Sequence, residues 1–142
     1  MQGRKRSITV DSRGLIVGLS VHSAGIQDRD GAKILLEKCA QEGKLKNVQK
    51  IVADAGYCGK LIDWVKEKFN IVLEIIKRPR EAKGWLLLPQ RWLVERTFAW
   101  VLTGRRMSRD FEKTVSSAET MLLVGQIRLL LNRIDKLILV PN

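Results

Sequence analysis

Two cysteines, one histidine and three prolines in 142 residues are few, and each scarcity removes a class of protein. Cys39 and Cys58 stand alone, with no C-x-x-C pair and only His22 beside them, so a zinc site is not expected. Their isolation fits a reducing, cytosolic setting in which both are small, partly buried apolar residues. The N-terminus lacks the apolar stretch of a secretory signal, and no apolar run approaches the roughly 20 residues that span a bilayer. Internal repeats and low-complexity tracts are also missing. A soluble, cytoplasmic protein without a membrane partner is the expectation.

Acid is the remaining shortage. Against 26 Lys and Arg stand 15 Asp and Glu, a formal net charge of +11, spread along the chain as well as packed into the opening GRKR. Such a surface attracts polyanions and puts nucleic acid ahead of other partners. Charge does not choose among nucleases, recombinases, ribosomal proteins and plain DNA-binding modules. With 45% hydrophobic and 29% charged residues, the chain suits one domain, 1–142, with a sizeable core.

Residues 4–10, RKRSITV, and 15–21, LIVGLSV, are β-branched runs separated by the turn formers of DSRG, which predicts a hairpin with Asp11 in its turn. AKILLEKCAQEG then reads as a helix, with Asp30 placed as its N-cap. QKIVAD is a short buried strand ending on an acid, LIDWVKEKFN an amphipathic helix, and IVLEII another strand. This order is mixed α/β. KRPREAKGWLLLPQ is a basic connector with a partly ordered patch at 85–88, and a helix follows Pro89 to about Gly104. RRMSRDFEK is a DNA-facing loop or solvated surface. Ser116 and Glu119 have capping-box spacing at the start of a long helix, apolar nearly all round and therefore read as buried.

Two acids carry the chemical question. Asp54 stands at the carboxyl end of a strand, where α/β sheets gather functional groups, and is either a metal ligand or the anchor of an Asx-turn. Glu95 interrupts an apolar helix about 40° from Arg91, between Leu102 and Ala99 at roughly 100° per residue. It either pairs with Arg91 or Arg96 or presents a carboxylate to a metal from a water-poor wall. Packed on the sheet, its helix could bring Glu95 within reach of Asp54. Two carboxylates on one Mg²⁺, with basic residues nearby to hold a DNA backbone, suit phosphodiester chemistry. His22 reads as a strand-end or core histidine rather than a general base.

Four separated blocks, GRKRSITVDSRGLIVGLSVHSAGIQDRDGA, IVADAGYCGK, PQRWLVERTFAW and GRRMSRDFEK, together resemble bacterial insertion-sequence transposases of the DDE type, of the IS-five family, from about Gly3 to Arg133. The resemblance implies an RNase H-like mixed sheet with flanking helices, in which two Asp and one Glu bind Mg²⁺ or Mn²⁺ for DNA strand cleavage and transfer. It also implies a bacterial, nucleoid-associated protein that acts on terminal repeats and is homo-oligomeric when intact. By motif position Asp54 is similar to the second Asp and Glu95 to the Glu of a Y-x-x-R-x-x-x-E-x-x-x-x-x-x-K signature. Arg91 and Glu95 match it, while Leu88 and Leu102 stand where the Tyr and Lys would be. Arg4, Lys5, Arg6, Arg91, Arg105, Arg106 and Arg109 are the expected DNA contacts.

In that family the first Asp lies on a central strand upstream of GRKR, and this chain begins at Met1 just before it. A partial domain lacking that strand and that Asp is expected, inactive alone, either the downstream product of a split or frameshifted reading frame that an upstream-encoded segment completes or a truncated relic. Asp11, Asp28 and Asp30 have simpler uses as a turn residue, a loop acid and a helix cap. The alternative expectation is a non-catalytic DNA-binding or inhibitory fragment.

Overall fold

Two runs with consecutive β-branched residues, Ile8-Thr9-Val10 and Ile16-Val17, on either side of a glycine turn form the first unit. In the computed structural model, which describes residues 3–77, 90–104 and 111–138, β1 (Arg4–Val10) and β2 (Ile16–Ser23) pair antiparallel from Arg4↔Ser23 to Val10↔Ile16, with a register shift between Thr9 and Val10. The turn is held as its residues predict. Asp11 Oδ1 accepts from the Arg13 and Leu15 amides at 2.9 and 2.8 Å, and Gly14 takes φ +79°, which a side chain rarely adopts.

Helix α1 (Asp28–Gln41) follows and packs on β2. It begins earlier than the apolar pattern suggests. Gln27 holds the cap position without a side-chain bond, so Asp30 is not the cap; it lies inside the first turn, 3.5 Å from Lys33. Asp28 is likewise no loop acid but the first helical residue, ion-paired to Lys5 at 2.9 Å. Both acids sit where the helix dipole favours negative charge. Then come β3 (Lys50–Asp54), a 3₁₀ turn (Ala55–Tyr57), α2 (Lys60–Phe69) and β4 (Val72–Ile76), and β3 and β4 pair parallel as a crossover through α2 allows. Helices α3 (Arg91–Val101) and α4 (Val115–Ile138) complete the described chain. The connector at 78–89 and the stretch 105–110 lie outside the described residues.

The architecture is mixed α/β and consistent with an RNase H-like fold, but among the described residues the strands form two two-stranded sheets, β1–β2 and β3–β4. Two cores correspond. Leu19, Val21, Val101, Ala118 and Leu122 join β2 to α3 and α4, and Leu36, Leu61, Val65, Ile71 and Leu73 join α1 and α2 to β4. His22 is a core histidine, 6% exposed, with Nε2 3.0 Å from Ser7 Oγ and Nδ1 3.1 Å from the Ser23 carbonyl. Cys39 and Cys58 are free thiols, and burial pushes the Cys39 thiol above its ordinary range. No described helix is long and apolar enough to cross a membrane.

Helix α4 departs from expectation twice. Thr114 caps it, its Oγ1 accepting from the Ser117 amide at 3.1 Å, and Glu119 leaves the helix end to serve β2. Glu119 Oε1 accepts from the Val21 amide at 3.0 Å and Oε2 from Lys38 Nζ at 2.6 Å. Seven residues on, the Gln126 carboxamide bonds both the amide and the carbonyl of Ile16, at 2.8 and 3.2 Å. Two side chains on one helix face thus pair three backbone groups at the edge of β2 that would otherwise be open to another chain. Glu119→Ala strands the buried Val21 amide and is expected to cost about 1–3 kcal/mol, whereas Glu119→Gln keeps an acceptor and loses only a half-exposed ion pair, under about 1 kcal/mol. Urea denaturation of the two variants distinguishes these costs. The helix is also not buried all round, since Val124, Ile127, Leu131 and Ile134 are exposed.

Candidate functional site

Strand β3 ends on Asp54 because the next residues, AGY, turn away as a 3₁₀ helix that Asp54 itself caps. Its Oδ1 accepts from the Gly56 amide at 2.8 Å, and a Cβ on Gly56 would lie 3.0 Å from that oxygen. The Asx-turn is therefore present. It does not exhaust the carboxylate, which has two oxygens and about four acceptor positions.

Glu95 is placed by its neighbours. Thr97, 1% exposed, has its hydroxyl 2.8 Å from both the Gly14 and Leu93 carbonyls, and Arg96 Nη2 donates to the Arg13 carbonyl at 3.1 Å. These bonds pin α3 onto the β1–β2 turn. The Arg96 guanidinium lies between the rings of Trp92 and Trp100, at 4.2 and 4.3 Å, and its buried Nε has no hydrogen-bond acceptor among the described residues. The indole faces take up the charge instead. Arg96 is thus an anchor of the helix. Gln90, at φ +66°, precedes the first turn.

This anchoring brings the two acids to one place. Asp54 and Glu95 both line a cavity of about 230 Å³ whose walls come from Ile8 and Thr9 of β1, residues 51–54 of β3, Leu35 and Leu36 of α1, and Gln90 and Val94 beside Glu95. The cavity lies between the two sheets and its lining is mostly apolar. Asp54 is half-buried, but Glu95 is exposed, so the expected water-poor wall around Glu95 is not found. The donor set of carboxylate oxygens suits a hard cation such as Mg²⁺. Among the described residues no group of three or more His, Cys, Asp or Glu could hold a metal.

Residue patterns alone missed two further residues of this cavity and one of the hollow beside it. Tyr57 lines the cavity, and burial first, then the charges of Asp28 and Asp54, raises its phenol above the ordinary range, so it keeps its proton. Gln90 adds a carboxamide to the lining. Arg29 lies with Lys5, Gln27, Asp28 and Gly56 around a second hollow of about 270 Å³ beside the turn after Asp54. Their only signal in the sequence is that they fall within the blocks carrying the resemblance, since fold topology brings them together.

The expected DNA contacts divide. Arg4 donates to the Glu112 and Lys113 carbonyls at 2.8 and 2.7 Å, tying β1 to the approach of α4. Lys5 bonds Asp28 and the Ile26 carbonyl. Arg6 is half-buried in β1, and Arg91 opens α3 with its side chain outside the described set. Arg105, Arg106 and Arg109 also lie outside the described residues.

No curated protein and no solved structure matches the chain. A family model described as the transposase DDE domain matches residues 1–130. With nearly the whole chain covered, a basic surface and two acids from distant elements on one cavity, the chain belongs to the transposase DDE domain family.

Proposed function

We propose that this chain belongs to the DNA-cutting and DNA-joining machinery of an insertion-sequence transposase of the IS-five type, with Asp54 and Glu95 as two carboxylates that hold Mg²⁺ or Mn²⁺. The observation that carries this reading is the meeting of those two acids, from β3 and α3, on one cavity. A bound pair of such cations would activate the attacking oxygen and stabilise the leaving one in phosphodiester chemistry. The chain's own groups then have defined tasks. The Gly56 amide holds one Asp54 oxygen, the Thr97 and Arg96 bonds fix the approach of α3, and Tyr57 offers a hydroxyl that remains protonated. On this reading Arg29, at the hollow beside the turn after Asp54, meets phosphate oxygens.

On this reading the two carboxylates at the cavity are an incomplete set that needs a third, the 142 residues are a single partial DDE domain, and the chain does not cut DNA alone. The protein works on the nucleoid in the bacterial cytoplasm, and the intact form assembles as an oligomer. Mn²⁺ titration followed by paramagnetic broadening of amide resonances tests the centre. Broadening is expected around Ala55, Gly56 and Glu95 at roughly millimolar Mn²⁺, and Asp54→Asn with Glu95→Gln should raise the required concentration at least about tenfold. Broadening elsewhere, or indifference to both substitutions, overturns the metal assignment. Mg²⁺-dependent cleavage of terminal-repeat DNA by the pure chain, lost in Asp54→Ala, overturns the incompleteness.

The +11 charge, with two described acids at the cavity where three are needed, also favours a second reading, a non-catalytic DNA-binding or inhibitory chain. It requires DNA binding that survives the Asp54→Asn, Glu95→Gln double substitution.

A further inference from the structure

Helix α4 is apolar on two opposite faces. Ala118 and Leu122, with Leu129 beside them, enter the core with β2 and α3. On the other side Val124, Ile127, Leu131, Ile134 and Ile138 are 49, 55, 60, 51 and 74% exposed. These five follow one another at alternating intervals of three and four, so at about 100° per residue they fall within an arc of roughly 80° facing away from the core. Five large aliphatic side chains in one solvated row mark an interaction surface. Their spacing is that of a and d positions, the pattern by which one helix packs along another.

We propose that this face is a self-association surface, on which α4 of a second copy lies antiparallel. The charges flanking the row choose this occupant and this direction. With Val124, Leu131 and Ile138 at a and Ile127 and Ile134 at d, the two e positions are Arg128 and Asp135, and the g positions include Leu123 and Leu130. A parallel pair would set e against g, placing both charges beside leucines. An antiparallel pair sets e against e, so Arg128 meets Asp135 of the second copy and two-fold symmetry repeats the contact. The same register stacks Leu131 on Ile134 of the second copy and Ile127 on Ile138. Charge and packing therefore agree on one alignment, in which the surface is complementary to itself. Arg128 donates to Thr103 Oγ1 at 2.9 Å within its own chain, and a guanidinium with five N–H donors can do both. The proposal does not depend on whether Asp54 and Glu95 hold a cation.

Sedimentation and light scattering on the full chain test it. The expected mass is twice 16.2 kDa at about 100 μM, falling toward the single mass on dilution. Leu131→Asp, at an exposed site, should remain monomeric with unchanged far-UV circular dichroism, and Ile134→Lys repeats the test at the neighbouring layer. Asp135→Arg sets Arg against Arg and should weaken the dimer about tenfold or more, while Arg128→Asp with Asp135→Arg restores it to within about threefold. A chain monomeric throughout, assemblies that persist in Leu131→Asp, or a dimer indifferent to charge reversal each overturns the proposal.

Discussion

Gly18→Ala is expected to cost about 3 kcal/mol of stability and to lower the thermal midpoint by about 6–12 °C. The reason is the closeness of α1 to β2. A Cβ at Gly18 would lie 2.1 Å from Cys39 Sγ, 3.0 Å from Thr9 Oγ1 and 3.4 Å from Leu35 Cδ1. Cys39 is 1% exposed and sits on the buried face of α1, so its sulfur has no solvent side to swing toward. Helix or hairpin must shift, and both are fixed elsewhere. Gly18 pairs with Thr9 in the hairpin, and at the first turn of α1 a Cβ on Gly31 would meet His22 Nε2 at 2.4 Å. Two glycines thus set the same helix–strand distance, one from each element. The contact is testable by a double-mutant cycle. With Cys39→Ala the sulfur is gone, and the cost of adding Gly18→Ala should fall below about 1 kcal/mol. Equal costs in both backgrounds would mean that the backbone at Gly18, not the clash with Cys39, is responsible.

The elements were legible where local pattern and tertiary demand coincide. The DSRG turn, with Asp11 bonding two following amides, follows from residue chemistry within five positions, as does the end of β3 at Asp54. Local pattern failed where a side chain had a better partner far away. Glu119 has capping-box spacing from Ser116, yet it bonds Val21, 98 residues distant, and Thr114 takes the cap. The apolar residues of α4 were plain in the sequence, but periodicity cannot say whether a second apolar face meets protein or water. The same limit applies to the site. Asp54 and Glu95 were readable singly, whereas their shared cavity depends on α3 docking to the hairpin turn through Arg96 and Thr97. Gln90 joins them through that same docking of α3, whereas Tyr57 comes with the turn that Asp54 caps.

DNA binding by the chain is expected to weaken by about 10³-fold or more between 50 and 200 mM salt, as for proteins that neutralise six or more phosphates. The net charge alone does not locate the binding face. Six lysines, among them Lys5, Lys33, Lys38 and Lys44, are already paired with carboxylates in the fold. The excess is concentrated instead on either side of the Glu95 helix. Residues 77–113 carry ten of the 26 Lys and Arg and only four of the 15 Asp and Glu. Arg96 within that span is held by Trp92, Trp100 and the Arg13 carbonyl, which leaves Arg105, Arg106 and Arg109 as a compact basic group close in sequence to the end of α3. Replacing these three by Ala should make the slope of log affinity against log salt shallower by roughly 2–3, about 0.9 for each phosphate that is no longer neutralised. Lys44→Ala, which removes a lysine already paired with Glu42, should leave the slope unchanged. Fluorescence anisotropy with a labelled duplex over a salt series measures both. If the triple variant keeps the original slope, the DNA is held on another face, and Asp54 and Glu95 are not beside the backbone they would have to cut.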